Sequence, residues 1–131
     1  MPSTRRPREN VELIREVYAT YDSGGDVTQF LDPGIVWNPV EEEPSTGIEA
    51  VLSYIDRWTG EWDDYEQDVE SLLDAGDSVV ATIHFRGRGK ASGIEADARL
   101  YEVWTVRQGR VVRMDEYGER AEALEAVGLP E

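Results

Sequence analysis

The first half of the chain carries its apolar residues at helical spacing. Such residues recur three and four positions apart over about residues 10–22, which predicts an amphipathic helix that the following glycine pair would end. Asp26 is placed to cap a short second helix. A third helix is predicted behind the capping-box pattern Thr46-x-x-Glu49, and its apolar side comprises Ile48, Val51, Leu52, Ile55, Trp58, Thr59 and Trp62.

The second half changes to the two-residue period of β-strands. Four long strands are predicted over about residues 65–74, 78–87, 94–106 and 110–117, with glycine-containing turns between them. A short closing helix over about residues 121–127 follows the last strand. Consecutive strands joined in this way form an antiparallel meander.

Helices followed by a meander predict an α+β fold. A short additional strand is expected from Ile35 to Asn38, before the third helix. One face of the sheet must be buried against the helices. We therefore expect a cone-shaped α+β barrel, in which a curved, mostly antiparallel sheet packs against three N-terminal helices and encloses a pocket.

Length and composition limit the protein to one domain. The chain has 131 residues, and we place the domain at residues 10–131 behind a flexible tail of residues 1–9. No apolar run approaches the roughly 18 residues that span a bilayer, and the N-terminus lacks the apolar stretch of a signal peptide. There are no cysteines. A cytoplasmic location is expected from these features.

The chain is strongly acidic, with a formal net charge of −15. A field of this sign repels phosphate backbones and anionic lipids, so neither a nucleic acid nor a membrane is an expected partner. An ordinary solvated surface is the favoured explanation of this charge, and adaptation to high salt, in which surface charges are screened, is the alternative.

Three segments carry a resemblance to a known family. They are Val36-Trp37-Asn38-Pro39-Val40 with the following Glu43-Pro44 and Gly47, the apolar hairpin 103–113, and the tail 120–129. Together with the order of elements, they resemble the SnoaL-like branch of the nuclear transport factor 2-like superfamily over about residues 10–128. The resemblance implies a ligand pocket. It does not set the function, because this superfamily includes isomerases, polyketide cyclases, epoxide hydrolases and proteins without known activity.

Comparison with the ketosteroid isomerases implies roles for three positions. The catalytic base of those enzymes falls on Asn38, which cannot act as a carboxylate base. Their tyrosine donor falls near the end of the first helix, on Tyr18, with Val17 and Tyr21 as alternatives. The protonated carboxyl group of their oxyanion hole falls on Glu102. Such a group, held neutral in an apolar pocket, can donate a hydrogen bond.

Limonene epoxide hydrolases offer a second comparison. Asn38 matches an asparagine that helps to hold the attacking water there, and Glu116 matches an acidic residue on the last strand. The Arg/Asp pair of that family falls on Ile83 and Phe85. An epoxide hydrolase of this type is therefore not expected.

Strand alternation predicts which side chains face the interior. Glu102 shares its face with Trp104, and Glu116 shares its face with Met114 and Val112. Both acids could therefore enter one cavity, where their repulsion would raise one pKa and create an acid/base pair. Alternatively, one or both lie at the rim and stay ionised, since a bulge would reverse the alternation. The inward residues of the second long strand are expected to be Val79, Ala81, Ile83 and Phe85.

The remaining candidates are ligand-contacting residues, each with an ordinary structural alternative. Tyr18 and Asn38 are expected to orient a ligand, but a satisfied buried hydroxyl and local backbone hydrogen bonds would also explain them. Core packing is the alternative for the predicted pocket wall, which comprises Trp58, Trp62, Phe85, Trp104 and Met114. No cofactor and no metal is expected, because the chain lacks phosphate-binding glycine motifs and His or Cys clusters. The run Glu41-Glu42-Glu43 is expected to be a solvated loop.

The outer face of the sheet suggests a homodimer through sheet packing. If Asn38 faces inward, the outward residues are Trp37, His84, Tyr101, Val103 and Thr105. The expected function is a cofactor-free pocket protein for a small apolar molecule. It would be an isomerase, cyclase or hydrolase in which Glu102 or Glu116 is the acid/base. The alternative is a non-catalytic ligand-binding or dimerisation module. An enzyme would keep an open cavity beside a buried glutamate of raised pKa, whereas a dimerisation module would fill that cavity with side chains.

Overall fold

A strongly curved sheet wraps around helices on its inner face in the computed structural model, which describes residues 7–130. The described residues form three α-helices, one 3-10 turn and six strands. Helix α1 spans Pro7–Asp22, so it begins before the predicted residue 10, and residues 1–6 of the predicted tail lie outside the described residues. The 3-10 turn Val27–Phe30 follows, and its cap is the predicted Asp26, whose Oδ1 accepts the Thr28 N–H at 2.9 Å.

The predicted meander is present as strands β3 to β6. Strand β1 is Leu31–Asn38, β2 is Ser45–Thr46, β3 is Trp62–Ala75, β4 is Ser78–Gly89, β5 is Glu95–Arg107 and β6 is Arg110–Tyr117. Their order across the sheet is β2-β1-β6-β5-β4-β3. All neighbours are antiparallel except β1 and β6, which run parallel. The sheet stays open, and the whole is the cone-shaped α+β fold expected from the element order.

Helix α2 begins and ends differently from the prediction. It spans Ile48–Thr59, and Gly47 is its N-cap with φ 93°, a conformation that favours glycine. No side chain caps the helix, so the predicted Thr46–Glu49 capping box is wrong. The C-terminal cap is Gly60, and Trp62 is therefore the first residue of β3 rather than the last apolar residue of the helix. Helix α3, Arg120–Ala126, closes the chain as expected.

The core lies between the inner face of the sheet and the helices. Val79, Ala81 and Ile83 of β4 are buried, which confirms the predicted inward set together with Phe85. Ile14 of α1 packs in the same cluster and is fully buried. Burying an aliphatic side chain of this size contributes about 1.5–3 kcal/mol, so the cluster supplies the main stabilisation of the cone.

Two interior assignments near the sheet centre were wrong. On β1, Ile35 is fully buried, so alternation turns Trp37 inward and Asn38 outward, the reverse of the prediction. On β6, the partner of Val106 is Val111 and the partner of Thr105 is Arg113, which leaves Val112 as the extra residue of a bulge. Met114 and Glu116 keep a common face, but Val112 does not share it.

The outer face of the sheet is covered at one end and highly charged at the other. Helix α3 packs there against Val80 and Val103, which are buried with Ala123. Farther along, His84 pairs with Asp97 at 2.6 Å between Nε2 and Oδ1. Neighbouring ion pairs link Arg86 to Glu66 and Asp68, Arg88 to Asp64, and Arg99 to Glu70. Such exposed pairs contribute little stability each, and the sheet-packed homodimer stays a prediction.

Candidate functional site

A partly enclosed cavity lies between the inner face of the sheet and helices α1 and α2. Its volume is about 100 Å³. A cavity of roughly 150 Å³ takes up benzene, so a space of this order admits a small ligand. Aromatic rings make up much of the wall, with aliphatic side chains between them. The lining residues are Val17, Tyr18, Tyr21, Val27, Leu31, Trp37, Tyr54, Ile55, Trp58, Thr59, Tyr65, Gln67, Ile83, Phe85, Leu100, Glu102, Trp104 and Glu116.

One end of the cavity is an aromatic cluster between α2 and strands β3 and β4. Trp58 contacts Phe85 at 5.3 Å and Tyr65 at 5.4 Å between ring centroids. Trp62 packs behind them, 4.9 Å from Phe85, and does not line the cavity. Gly87 makes room for Trp62, because a Cβ on that glycine would lie 3.2 Å from the indole Cε3. These rings hold each other in place and form a rigid apolar wall.

The other end is a chain of hydrogen bonds that leads to two carboxyl groups. Trp104 Nε1 donates to Tyr18 Oη at 2.9 Å, and Tyr18 Oη donates to Glu102 Oε1. Glu102 and Glu116 are direct partners across β5 and β6. Side chains at such positions have Cβ atoms about 4.5–5.5 Å apart, so the two carboxyl groups lie close enough to affect each other's pKa. The Val40 N–H donates to Glu116 Oε1 at 3.3 Å.

Burial and mutual repulsion keep a proton on this carboxyl pair. Burial, followed by the charge on Glu116, raises the pKa of Glu102 from its ordinary 4.5 to about 8. Burial also raises the pKa of Glu116, but the Val40 N–H and a hydrogen bond from Glu102 oppose that rise. Near neutral pH, Glu102 therefore holds its proton, and the negative charge that helps to raise its pKa is that of Glu116. The pair titrates as one coupled unit, which is the arrangement of a combined acid and base.

The tyrosines of the cavity are neutral hydrogen-bond donors. Burial, with the nearby charge of Glu102, raises the pKa of Tyr18 well above its ordinary value. Burial raises the pKa of Tyr54 and Tyr65 as well. The Tyr65 hydroxyl donates to Gln67 Oε1 at 2.6 Å. The cavity therefore offers uncharged donors beside one acid and one carboxylate.

The structure brings together six of the nine predicted site residues. Around one cavity lie Tyr18, Trp58, Phe85, Glu102, Trp104 and Glu116. Trp62 is excluded by its position behind the aromatic cluster. Met114 is fully buried in the core and exposes no surface to a ligand.

Asn38 is the clearest correction among the predicted site residues. Its amide donates to Asp115 Oδ1 at 3.2 Å, and Arg113 Nε holds the same carboxylate at 2.8 Å. Asn38 does not line the cavity because Ile35 occupies the core and sets the alternation of β1. Its predicted inward position, taken from the isomerase base, is therefore wrong, and its contact with a ligand stays a prediction.

Three aromatic residues of the cavity were missed from the sequence. Trp37 was assigned to the outer face, and it in fact contacts Trp104 edge-on at 5.4 Å. Tyr54 follows Val51 by three positions on α2, a spacing that could have placed it on the inner side. Tyr65 precedes Gln67 and Val69 on one face of β3, but the register shift between Val69 and Ser71 hid this alternation.

Replacing Tyr18 with phenylalanine is expected to destabilise the protein by about 1–3 kcal/mol. The change leaves the buried Trp104 N–H without its acceptor, and an unsatisfied buried donor costs about this much. Urea unfolding measures the effect. Tyr21→Phe is the matched control, because this tyrosine lines the same cavity but is less deeply buried. Equal stabilities of the two variants would contradict the hydrogen-bond chain.

Residues 7–130 contain no group of three or more His, Cys, Asp or Glu side chains that could hold a metal ion. In the same part of the chain, no helix has both the length and the apolar character needed to cross a membrane.

Comparisons with known proteins agree with the architecture. The sequence profile of the SnoaL-like domain matches residues 11–114. An NTF2-like protein from Burkholderia thailandensis E264 has a TM-score of 0.78 at 22% identity, with 97% of this chain and 100% of that chain covered. A candidate SnoaL-like polyketide cyclase from Jannaschia sp. CCS1 has a TM-score of 0.77 at 20% identity, covering 98% and 99%.

TerC, co-crystallised with polyporic acid, has a TM-score of 0.73 at 17% identity, covering 90% of this chain and 97% of that chain. The comparison with curated protein sequences yields no significant match. At these identities, the solved structures establish the fold alone.

Proposed function

The chain belongs to the SnoaL-like domain family, and we propose that it is an enzyme that transfers a proton within a small, largely apolar molecule. The reaction is of the isomerase or cyclase type. The observation that carries the proposal is the coupled pair Glu102 and Glu116 in the wall of an aromatic cavity. The cyclase relative and the relative that holds polyporic acid support a small organic ligand.

The two carboxyl groups divide the chemistry in this proposal. Glu116, as the carboxylate, accepts a proton from an acidic C–H of the ligand. Glu102 donates a proton or a hydrogen bond to the oxygen on which negative charge develops, and Tyr18 supports it. Acid/base catalysis is most effective when the pKa of the group lies near the working pH, as it does for Glu102.

The alternative of a dimerisation module that fills its own cavity has less support, because the cavity of about 100 Å³ is open to a ligand. Epoxide hydrolysis is also disfavoured. Ile83 and Phe85, which occupy the positions of the Arg/Asp pair, are apolar parts of the wall. The remaining alternative is a non-catalytic binding protein. Such a protein would bind the ligand without transferring a proton, whereas the proposed enzyme would transfer one.

The test uses small β,γ-unsaturated cyclic ketones, including 3-cyclohexenone, whose isomerisation to the conjugated enone requires proton removal and return. We expect the protein to accelerate this isomerisation with saturation kinetics, followed by ultraviolet absorbance near neutral pH. Deuterium incorporation from deuterated water would show that the abstracted proton exchanges with solvent before the ligand is protonated again. A rate equal to that of acetate buffer at the same carboxylate concentration, for every ring size, would reject the enzymatic proposal.

A further inference from the structure

The cavity wall contains anionic groups and no cationic group among the described residues. Its titratable side chains are Tyr18 and Tyr21 from α1, Tyr54 from α2, Tyr65 from β3, Glu102 from β5 and Glu116 from β6. Lysine, arginine and histidine are absent from this lining. Arg113 is directed to Asp115, and Arg57 is paired with Glu42. One negative charge on the carboxyl pair therefore has no opposite charge inside the cavity.

An unpaired charge in a partly enclosed apolar space is unfavourable, and the structure offers only neutral donors to offset it. These donors are the Val40 N–H on Glu116 and the Tyr18 hydroxyl on Glu102. A positively charged ligand would supply the missing partner. A negatively charged ligand would meet repulsion from Glu116 and from the net charge of −15.

The remainder of the wall suits the same kind of ligand. Eight of the lining residues are aromatic: Tyr18, Tyr21, Trp37, Tyr54, Trp58, Tyr65, Phe85 and Trp104. Rings of this kind attract a cation placed over their faces, and aromatic cages bind quaternary ammonium groups in this way. The rings that meet edge-on here, such as Trp37 against Trp104 and Trp58 against Tyr65, hold one another at steep angles instead of stacking face to face.

We propose that the cavity binds a small molecule with a protonated or quaternary amine, with the ammonium group among the aromatic rings and beside Glu116. This rests on the ligand-binding half of the proposed function and not on its proton transfer. The apolar body of the ligand occupies the rest of the wall.

Isothermal titration calorimetry with choline and 3,3-dimethyl-1-butanol tests the proposal. The two probes have nearly the same shape, and the second replaces the quaternary nitrogen by carbon. We expect choline to bind about tenfold more tightly at pH 7. The double variant Glu102→Gln/Glu116→Gln should lose most of this preference while keeping the affinity for the neutral alcohol. Glu95→Gln, at an exposed position of β5, is the control and should keep the preference.

The wild-type protein provides a second measurement that does not depend on how the double variant folds. Choline keeps its charge at all pH values, whereas the carboxyl pair gains a second charge as the pH rises through about 8, the raised pKa of Glu102. The raised pKa of the cavity tyrosines keeps them neutral in this range. The preference for choline should therefore be larger at pH 9 than at pH 6.

Several results would overturn the amine proposal. They are equal affinity for the two probes at both pH values, binding of neither probe at millimolar concentration, and a preference that survives in the double variant. The outcome is separate from that of the enone assay. Enone isomerisation without a choline preference would reject only the amine ligand. A choline preference without isomerisation would reject only the catalysis.

Discussion

Replacing Glu116 with glutamine is expected to slow enone isomerisation by roughly 10²–10⁴-fold, the range that a positioned acid or base contributes. Glutamine keeps the shape of the side chain and can still accept the Val40 N–H, but it cannot take up a proton. The loss should appear in kcat more than in KM, because the charge acts on the reacting proton. Initial rates for the two proteins, measured near neutral pH, give the comparison.

Glu95→Gln makes the same chemical change at an exposed position and should leave the rate unaltered. Glu102→Gln should also slow the reaction, since it removes the proton that the pair shares. Its rate should in addition lack the dependence on pH near 8 that we expect for the wild type. A Glu116→Gln protein that folds and retains the wild-type rate would show that this carboxylate is not the base.

The stability of the wild-type protein is expected to fall by about 2–4 kcal/mol between pH 5 and pH 9, mainly because of Glu102. Its pKa of about 8 in the folded state lies above its ordinary 4.5, so the folded protein binds this proton more tightly than the unfolded chain does. The resulting stabilisation is fully present below pH 4.5 and is lost as the pH rises through 8. Each unit of difference between the folded and unfolded pKa values corresponds to about 1.4 kcal/mol of stability. Access of water to the cavity reduces this contribution for Glu102.

Glu102→Gln removes the titrating group, so its free energy of unfolding should change much less between pH 5 and pH 9. At pH 9 the variant should be more stable than the wild type, because it no longer holds a second charge beside Glu116. Urea unfolding at five pH values measures both curves, and Glu95→Gln should follow the wild type. Parallel curves for wild type and Glu102→Gln would mean that Glu102 titrates normally.

Much of the fold follows from regular patterns in the sequence. The alternation of Val79, Ala81 and Ile83 indicates the buried face of β4, and helical spacing indicates the buried side of α1 around Ile14. The same alternation puts Glu102 on the face of Trp104, which made the cavity one of the two positions expected for this carboxyl group, and the structure places it in the cavity wall. These predictions were correct because many neighbouring apolar positions follow the same helical or strand spacing.

The predictions from the sequence were wrong where a single local feature interrupts the regular alternation of a strand. The bulge at Val112 is one extra residue in β6, and the choice between Ile35 and Val36 as the inward residue of β1 rests on packing across the whole core. The hydrogen bonds from Trp104 to Tyr18 and from Tyr18 to Glu102 join residues more than 80 positions apart. Sequence spacing does not encode such contacts, so the proton-sharing pair was one of two open alternatives before the structure was known.

Glu102 and Glu116 are expected to share one proton in the cavity. Carboxyl ¹³C NMR of glutamate-labelled protein, with Glu102→Gln and Glu116→Gln used for assignment, measures it directly. We predict one carboxyl resonance that titrates near pH 8 and belongs to Glu102, and that moves to lower pH in Glu116→Gln as the neighbouring charge is removed. Titration of both carboxyl groups near pH 4.5, with no effect of either substitution on the other group, would contradict it.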